Sequence, residues 1–301
     1  MPTPHFADQL IEAIRSKGTP CVVGLDPNIA LMPESFRRTH QLDEDCDNAT
    51  AAAGILAYNE MVLDAVADLV PAVKPQSAYF EQFGSAGILA LEKTIASARS
   101  RGLLVILDVK RNDIGSTSAA YARAYLRPNT PTESDSITLL PYLGEDSLEP
   151  FISTATEYGK GLFVCVKTSN PGSQDIQDRR AGGLPIHTHV ANMLAPHAQK
   201  TKGRNGYGLV GAVVGATWPD AARSLRAALP HSLFLVPGIG AQGGDPAALK
   251  PFFQDGIGAV VAASRSIMYP HRFGAQHSNN ATIRKAAEDF IAVVKPATRD
   301  A

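Results

Sequence analysis

Short, continuously apolar runs recur along the whole chain, each followed by polar or glycine residues. Their length and their content of β-branched residues indicate strands rather than helices. Continuous apolarity, as opposed to alternation, is typical of parallel strands covered on both faces by connecting helices. The eight runs are CVVGLD (21–26), AVKPQ (72–76), which is the weakest, LLVILDVK (103–110), SITLLP (136–141), GLFVCVKT (161–168), LVGAVVGAT (209–217), LFLVPGIG (233–240) and GAVVAASRS (258–266).

Longer segments with helical periodicity lie between these runs, at residues 51–70, 85–102, 144–159 and 219–230. Eight strand-helix units predict an α/β fold of the (β/α)8 barrel type. We expect a single domain over residues 1–301. A doubly wound open sheet is the structural alternative.

Charged side chains stand where the predicted strands end. Asp26 ends the first run, Lys74 lies late in the second, Asp108 and Lys110 end the third, and Arg265 ends the eighth. A barrel gathers all these ends on one face, where the functional loops begin. An open sheet does not predict chemistry at so many strand ends, so the pattern favours the barrel.

Two connections are unusually long for a compact domain. Residues 27–50 contain the acidic run DEDCD, and residues 170–184 read NPGSQDIQDRRAGGL. Such loops are often lids or binding loops, and a tolerated surface insertion is the alternative.

Composition excludes several classes of function. The 301 residues carry a formal net charge of -1, so no broad basic surface indicates a nucleic acid or an anionic membrane as partner. Cys21, Cys46 and Cys165 are far apart and form no CxxC pair, which argues against a disulfide framework or a zinc site. No apolar run reaches the roughly 20 residues that span a bilayer. Residues 1–19 lack the features of a signal peptide, and we expect a cytoplasmic protein.

Three charges lie close together directly after the apolar run LLVIL. Asp108 and Lys110 are two residues apart on a strand, so both should project toward the barrel mouth, and Asp113 follows in the loop. An ordinary surface ion pair is the simplest interpretation of such a sequence. Charges at the end of a buried strand are costly unless paired, however, and such groups cluster at functional sites.

These residues also carry a family resemblance, because DVKRNDI resembles the DxKxxDI signature of the orotidine 5'-phosphate decarboxylase family. A wider superfamily of sugar-phosphate barrels shares DxKxxD. Lys74, in AVKPQSAYF, falls where the decarboxylases carry a lysine and their metal-dependent relatives carry a glutamate. GLDPN, SNPG, PGIGAQGGDP and SRSI resemble further family segments, so the similarity spans nearly the whole chain. The two long connections make it similar to the longer bacterial branch.

The segment PGIGAQGGDP also matches a second pattern. Gly238, Gly240 and Gly243 satisfy the GxGxxG fingerprint of dinucleotide-binding folds, but they lie late in the chain rather than in a first βαβ unit. In a barrel the same glycines suit a phosphate site. Asp245 followed by Pro246 predicts the N-cap and first residue of a short helix whose amide groups favour an anion. A plain turn is the alternative.

The resemblance implies conversion of orotidine 5'-phosphate to uridine 5'-phosphate and CO2, the last step of de novo UMP synthesis, without a metal or another cofactor. It assigns Lys110 to the stabilisation and protonation of the carbanion, within a charge network completed by Asp108, Lys74 and Asp113. It also implies a homodimer in which Asp113, together with its neighbours Ile114 and Thr117, enters the active site of the second subunit. The substrate-binding residues that it implies are Asp26, Ile114, Thr117, Ser169, Pro237, Gln242, Gly243, Ser264 and Arg265.

Two other functions stay open. A magnesium-dependent sugar-phosphate decarboxylase or aldolase on the same barrel would use Asp108 as a metal ligand, and Lys74 counts against it. A non-catalytic nucleotide-phosphate-binding protein would need only the phosphate site. The joint presence of Asp108, Lys110 and Asp113 disfavours that second alternative.

His187 and His189, in PIHTH, could suggest a metal, but no third ligand accompanies them at a useful spacing. Histidines at the solvated start of a helix are the simpler interpretation. For Trp218, which follows a predicted strand, we expect a packing role. No metal site is therefore predicted.

Overall fold

Eight parallel strands close into a barrel in this computed structural model, which describes residues 5–239 and 244–299. Each strand pairs with its neighbours in chain order, and the last strand pairs with the first. The predicted barrel is therefore confirmed, and the open sheet is excluded. The strands are β1 (Cys21–Leu25), β2 (Ala72–Pro75), β3 (Leu104–Arg111), β4 (Ser136–Leu139), β5 (Gly161–Lys167), β6 (Val210–Val214), β7 (Phe234–Pro237) and β8 (Ala259–Ala263).

Helices surround the barrel, and the four helices predicted from periodicity are confirmed to within a few residues. Within the described ranges, no helix is long and apolar enough to cross a membrane. The helices are α1 (Phe6–Lys17), α2 (Glu34–Thr39), α3 (Asn48–Val66), α4 (Ala78–Glu81), α5 (Gly84–Ser100), α6 (Gly115–Leu126), α7 (Glu145–Tyr158), α8 (Ile186–Lys200), α9 (Pro219–Ala228), α10 (Arg265–Met268) and α11 (Asn280–Arg299), with 3-10 turns at Ile29–Leu31, Pro171–Asp175, Pro246–Phe252 and Pro270–Phe273.

The strands are buried on both faces, as their continuous apolarity predicts. Along β1, Val22 joins the hydrophobic cluster inside the barrel, whereas Cys21 and Val23 join the cluster between strands and helices. Successive side chains of a strand point to opposite faces, and here both faces are apolar: one is the barrel interior and the other is the layer between strands and helices. The barrel interior and the outer layer are thus two distinct cores.

Helix α1 closes the amino-terminal end of the barrel. Its Phe6 ring meets the Phe163 ring edge-on, with ring centroids 6.0 Å apart. Gly161 at the start of β5 permits this approach, because a Cβ there would lie 2.0 Å from the Phe6 ring. With this end filled by apolar side chains, the opposite end is left for a site.

Both long connections contain secondary structure of their own. Residues 27–50 include a 3-10 turn and α2, and residues 170–184 include a 3-10 turn and the first strand of a small antiparallel ladder. The ladder pairs Arg180–Ala181 with Leu184–Pro185. Gly182 and Gly183 make its turn with φ values of +54° and +84°, which other residues rarely adopt.

Candidate active site

A cavity of about 440 Å³ opens at the carboxyl ends of the strands. This is the face on which barrel enzymes place their chemistry. All eight strands contribute to its lining, in chain order with Gly24, Lys74, Asp108, Thr138, Cys165, Val213, Leu235 and Ala262. One wall is therefore charged and the opposite wall is apolar.

Asp108 is the centre of the charged wall. Its Oδ2 accepts hydrogen bonds from Lys74 Nζ at 2.8 Å and Gln76 Nε2 at 3.1 Å. Its Oδ1 accepts from Lys110 Nζ at 2.5 Å and Thr138 Oγ1 at 2.8 Å. Four donors from three neighbouring strands and their ends thus fix a single buried carboxylate.

An irregularity at the end of β3 directs Lys110 into this group. The pairing of β3 with β4 shifts between Leu107 and Arg111, and Lys110 has a φ of +43°, which is unusual for a non-glycine residue. The Lys110 N–H donates to Thr138 Oγ1 at 2.9 Å, and this contact holds the strained backbone. Backbone strain of this kind is concentrated at functional sites, where the surrounding structure maintains it.

The electrostatics of the charged wall keep it ionised. Burial alone would raise the pKa of Asp108, but Lys74 and Lys110 hold that pKa well below its usual range. Burial likewise opposes the charge of Lys74, yet the Asp108 and Asp26 carboxylates outweigh it and raise the pKa of Lys74. Asp108 and Lys74 therefore both stay charged across neutral pH.

Asp26, directly after β1, has unused hydrogen-bonding capacity. Its Oδ1 is buried and has no hydrogen-bond partner among the described residues. Its backbone is held by Tyr269, whose hydroxyl donates to the Asp26 carbonyl at 2.8 Å. A buried acceptor without a donor is costly, so Asp26 is suited to a ligand that brings a hydroxyl group.

The far end of the cavity lies where β7 and β8 end. Arg265, the first residue of α10, lines it together with Ser264 and Pro237. The Arg265 side chain is exposed, and it forms no ion pair within the described part of the chain. Loops after the last two strands of such barrels commonly bind phosphate.

Comparisons with known proteins match this arrangement to one family. The model of the "Orotidine 5'-phosphate decarboxylase / HUMPS family" matches residues 40–269. The chain belongs to this decarboxylase family. A curated orotidine 5'-phosphate decarboxylase from Rhodopirellula baltica is 46% identical over 272 residues, covering 89% of this chain and 89% of the relative. One from Caldicellulosiruptor bescii is 39% identical over 277 residues, covering 89% and 90%.

A solved decarboxylase structure agrees with the fold. The structure of Leishmania donovani OMP decarboxylase covers 99% of this chain and 100% of its own, with 32% identity and a TM-score of 0.76. The barrel and its charged mouth are therefore to be interpreted within the decarboxylase family.

The structure brings together most of the site residues predicted from the sequence. The predicted residues that line the cavity are Asp26, Lys74, Asp108, Lys110, Ser169, Pro237, Ser264 and Arg265. Gln242 and Gly243 lie outside the described residues. The short helix expected after Asp245 is a 3-10 turn, Pro246–Phe252, capped by the Asp245 carboxylate. No residue of that turn lines the cavity in the described ranges.

Asp113, Ile114 and Thr117 do not join the cavity of their own chain. Asp113 Oδ1 accepts from the N–H of Ile114 at 2.8 Å, and no ion pair joins Asp113 to Lys110 among the described residues. The Ile114 side chain is 60% exposed at the start of α6. The fourth member of the predicted charge network is thus absent from the site that one chain builds.

Sequence reasoning missed two neutral residues that hold Asp108. Gln76 and Thr138 donate to its two oxygens, yet neither carries a charge that would single it out in the sequence. Their positions at the ends of β2 and β4, next to β3, were the one available signal. Cys165 was also missed, and burial raises the pKa of its thiol to about 12, so it remains a neutral part of the wall.

No histidine site for a metal is formed by the described residues. No group of three metal-ligating side chains occurs in residues 5–239 and 244–299. His187 bonds the Gln177 carbonyl through Nδ1 at 3.0 Å, and His189 bonds the Ala181 carbonyl through Nε2 at 2.8 Å. Both imidazoles therefore hold loop backbone, and His187 is buried, so the prediction of a solvated position is wrong for it.

Proposed function

We propose that this chain is a cofactor-independent carboxy-lyase that converts orotidine 5'-phosphate to uridine 5'-phosphate and CO2, the last step of de novo UMP synthesis. Its membership in the decarboxylase family supports this activity. The single observation that carries the mechanism is the buried Asp108 carboxylate, held between the ammonium groups of Lys74 and Lys110 at the barrel mouth.

The chemistry requires a cation beside a carbanion. When the C–C bond to the carboxylate breaks, its electron pair stays on an sp² ring carbon and cannot delocalise into the π system. Lys110 Nζ lies in the cavity, and it donates the proton that converts this carbanion to product. Only stabilisation that is stronger in the transition state than in the bound substrate raises the rate, and a preorganised ammonium group provides it.

Asp108 has two roles in this proposal. It orients Lys110 through the 2.5 Å contact with Nζ, and it faces the substrate carboxylate that departs. Gln76 and Thr138 prevent Asp108 from turning away. Two like charges brought together favour the loss of one, which adds ground-state stress to the stabilisation by Lys110.

The remaining cavity residues suit the rest of the nucleotide. Asp26 Oδ1 and Lys74 are proposed to bind ribose hydroxyls, Ser169 the pyrimidine ring, and Arg265 the phosphate. Arg265 presents a planar fork of donors that matches phosphate oxygens. Gln242 and Gly243 are proposed to complete the phosphate site. Binding energy from this remote group can be used to orient the reacting carbon.

The active unit is proposed to be a homodimer with shared sites. Asp113, Ile114 and Thr117 lie together at the start of α6, outside their own cavity. Ile114 is 60% exposed. The connection from β4 to α7, which meets α6 where Ser118 Oγ donates to the Ser147 carbonyl, exposes Tyr142 at 81% and Leu143 at 48%. Exposed apolar groups of this kind mark interfaces, and a second copy would place Asp113 beside the partner's charged wall.

The magnesium-dependent alternative is disfavoured by the same geometry. Both oxygens of Asp108 already accept two hydrogen bonds each, and two of the donors are cations. A metal ligand needs a free lone pair, and an ammonium group beside it repels a second cation. We therefore propose a reaction without a metal, and the family resemblance implies that no other cofactor takes part.

A chelator assay tests this function directly. Purified protein with excess EDTA is expected to consume orotidine 5'-phosphate at the same rate as untreated protein, followed by the loss of orotate absorbance. An Asp108→Asn sample run in parallel measures the background. Activity that vanishes with EDTA and returns with magnesium would instead support the metal-dependent alternative.

We also propose a cytoplasmic location, as the sequence predicted. The three cysteines are unpaired, and Cys21 and Cys165 are buried in the core. Unpaired thiols are typical of a reducing compartment.

A further inference from the structure

Lys167, the last residue of β5, is a fully buried lysine that the proposed mechanism does not use. Its side chain is 1% exposed. Its Nζ donates to Asp178 Oδ1 at 2.7 Å and to Ser173 Oγ at 3.2 Å, and it lies 4.3 Å from the centre of the Trp218 ring. These four residues, Lys167, Ser173, Asp178 and Trp218, are called the latch below.

The latch joins the barrel to the loop at residues 170–184. Ser173 belongs to the 3-10 turn Pro171–Asp175, and Asp178 follows that turn. Asp178 Oδ1 also lies 3.3 Å from His187 Nδ1 at the start of α8. The loop is therefore fastened at its first half to the end of β5 and at its second half to a helix of the outer layer.

The residues between Lys167 and the latch contacts form one side of the cavity. Thr168, Ser169 and Asn170 all line it. Gln177 holds Thr168 from the loop side, accepting from its N–H at 2.9 Å and donating to its Oγ1 at 2.9 Å. Residues 168–170 are called the rim below. Lys167 and Gln177 thus fix the position of the rim relative to the charged wall.

The segment after β6 holds the same rim from the other side. Trp218 Nε1 donates to the Thr168 carbonyl at 2.8 Å, and Thr217 Oγ1 donates to the Ser169 carbonyl at 3.1 Å. Gly215 allows close contact, since a Cβ there would lie 2.6 Å from Ser169 Cα. The Trp218 ring therefore covers the Lys167 ammonium group, and its indole N–H holds the backbone of Thr168.

Stability alone does not account for this lysine. Burial of an ammonium group costs several kcal/mol. The carboxylate of its partner Asp178 is 39% exposed, and solvent weakens what such an ion pair returns in stability. An ion pair differs from apolar packing in that it fixes orientation. Lys167 Nζ must contact Asp178, Ser173 and the Trp218 ring at the same time. A directional contact at the root of a cavity-lining loop points to a positioning role.

We propose that Lys167 is a positioning residue for the pyrimidine side of the active site, and that the latch fixes residues 168–178 in the conformation that receives the substrate ring. The kinetic part of this inference rests on the proposed decarboxylase function. The conformational part does not, because it concerns the loop alone.

Lys167→Met and Asp178→Asn are the variants that open the latch. Lys160→Met is the matched control, since Lys160 precedes β5 at the opposite end, is also buried, and pairs with Glu133 at 2.8 Å. We expect KM for orotidine 5'-phosphate to rise about tenfold or more in both latch variants, with kcat lowered less than about threefold. The control is expected to lose stability but to keep KM within about twofold.

Two readouts follow the loop without activity. Arg179 and Arg180 are exposed, so limited trypsin digestion is expected to cut the loop several-fold faster in the latch variants and not in Lys160→Met. The chain has one tryptophan, so its tryptophan fluorescence reports on Trp218. The emission is expected to differ from that of wild type in Lys167→Met and in the double variant Lys167→Met/Asp178→Asn. In the double variant Lys167→Met/Asp178→Asn, KM should be no higher than in Lys167→Met.

Contrary results are equally clear. If KM and trypsin sensitivity change as much in Lys160→Met as in the latch variants, lysine burial acts through stability and the positioning role is wrong. If Lys167→Met leaves KM and the cleavage rate unchanged, the latch does not position the rim. A wild-type protein inactive on orotidine 5'-phosphate would refute the proposed function, while trypsin and fluorescence would still decide on the latch.

Discussion

At the closed end of the barrel, the Asp8 carboxylate accepts hydrogen bonds from the backbone N–H groups of Arg204 and Asn205 and from Asn205 Nδ2, at 2.9 to 3.0 Å. At the open end, Asp108 is held by two lysines, and Asp26 Oδ1 has no partner among the described residues. Both ends bury carboxylates. At the closed end neutral donors of the chain satisfy the charge, whereas the mouth retains cations and an unused acceptor.

The difference separates structural charge from functional charge. Asp8 ties α1 to the segment after α8, and its hydrogen bonds lower the pKa of Asp8 although burial opposes this. Lys110 at the mouth has a side chain that is 42% exposed, so its ammonium group remains accessible to a ligand. Polar groups in a cavity that lack hydrogen-bond partners cost stability. Such groups are retained where function requires them.

The largest effect is expected from Lys110→Ala. The variant should lose at least about a thousandfold in kcat, because it removes the group proposed as both the proton donor and the cation beside the carbanion. Binding of uridine 5'-phosphate, measured by calorimetry, should remain detectable. Near-normal turnover would contradict the assignment of Lys110 as proton donor.

The next effect tests whether the mouth is completed by a second copy. Asp108→Asn and Asp113→Asn are each expected to be nearly inactive, and an equal mixture should recover about a quarter of wild-type activity. Half of the randomly mixed dimers are hybrids, and each hybrid contains one intact site. A mixture that stays at the level of its components would contradict sites shared between subunits.

A stability effect of intermediate size is expected at the closed end. Asp8→Ala should lower the free energy of unfolding by about 1–3 kcal/mol, because three donors lose their acceptor. Its kcat/KM should stay within about twofold of wild type. Asp68→Ala, which breaks the exposed pair with Arg284, is the control and should cost less than about 1 kcal/mol in urea unfolding. A large loss of activity in Asp8→Ala would erase the distinction between the two ends.

The smallest effect concerns acid stability. Burial opposes the charge of Glu133, but Arg99 and Lys160 lower its pKa to about 2, below the ordinary 4.5. A lowered pKa stabilises the fold above the ordinary value, and this contribution is lost as pH falls from about 4.5 to about 2. Glu133→Gln should therefore flatten the fall of Tm in that window, whereas the exposed Glu149→Gln should not. Parallel Tm curves for wild type and Glu133→Gln would show that the contacts of Glu133 with Arg99 and Lys160 contribute nothing to stability.

Much of the fold could be predicted because it depends on local pattern. The runs around Val22 and Ile106 read as strands since each is short, apolar and β-branched, and the structure confirms them. The period of a strand predicted that Asp108 and Lys110 project together, but in the structure they meet through the backbone irregularity at Lys110. Gln76 and Thr138 could not, because a neutral donor has no signal in the sequence until strands β2, β3 and β4 stand side by side.

The roles assigned to the site residues stay predictions of the family resemblance, and Asp113 shows the reason. Its place three residues after Lys110 is plain in the sequence, yet the folded chain leaves it outside its own cavity. A dimer interface depends on surfaces that no local pattern describes. The latch is a similar case, because Lys167 and Asp178 read as ordinary charges until the fold buries Lys167 and brings the loop carboxylate of Asp178 to it.

The sequence by itself determined the number of strands and the charged residues at their ends, because short continuous apolar runs mark the strands and a period of 3.6 residues marks the helices between them. Only the tertiary structure decided which of those residues meet. Closure of the barrel brings Lys74 and Thr138, which are 34 and 30 residues from Asp108 along the chain, to 2.8 Å from its carboxylate oxygens. Contacts across such separations are set by strand register and by the bulge at Lys110, and neither is written in any short stretch of residues.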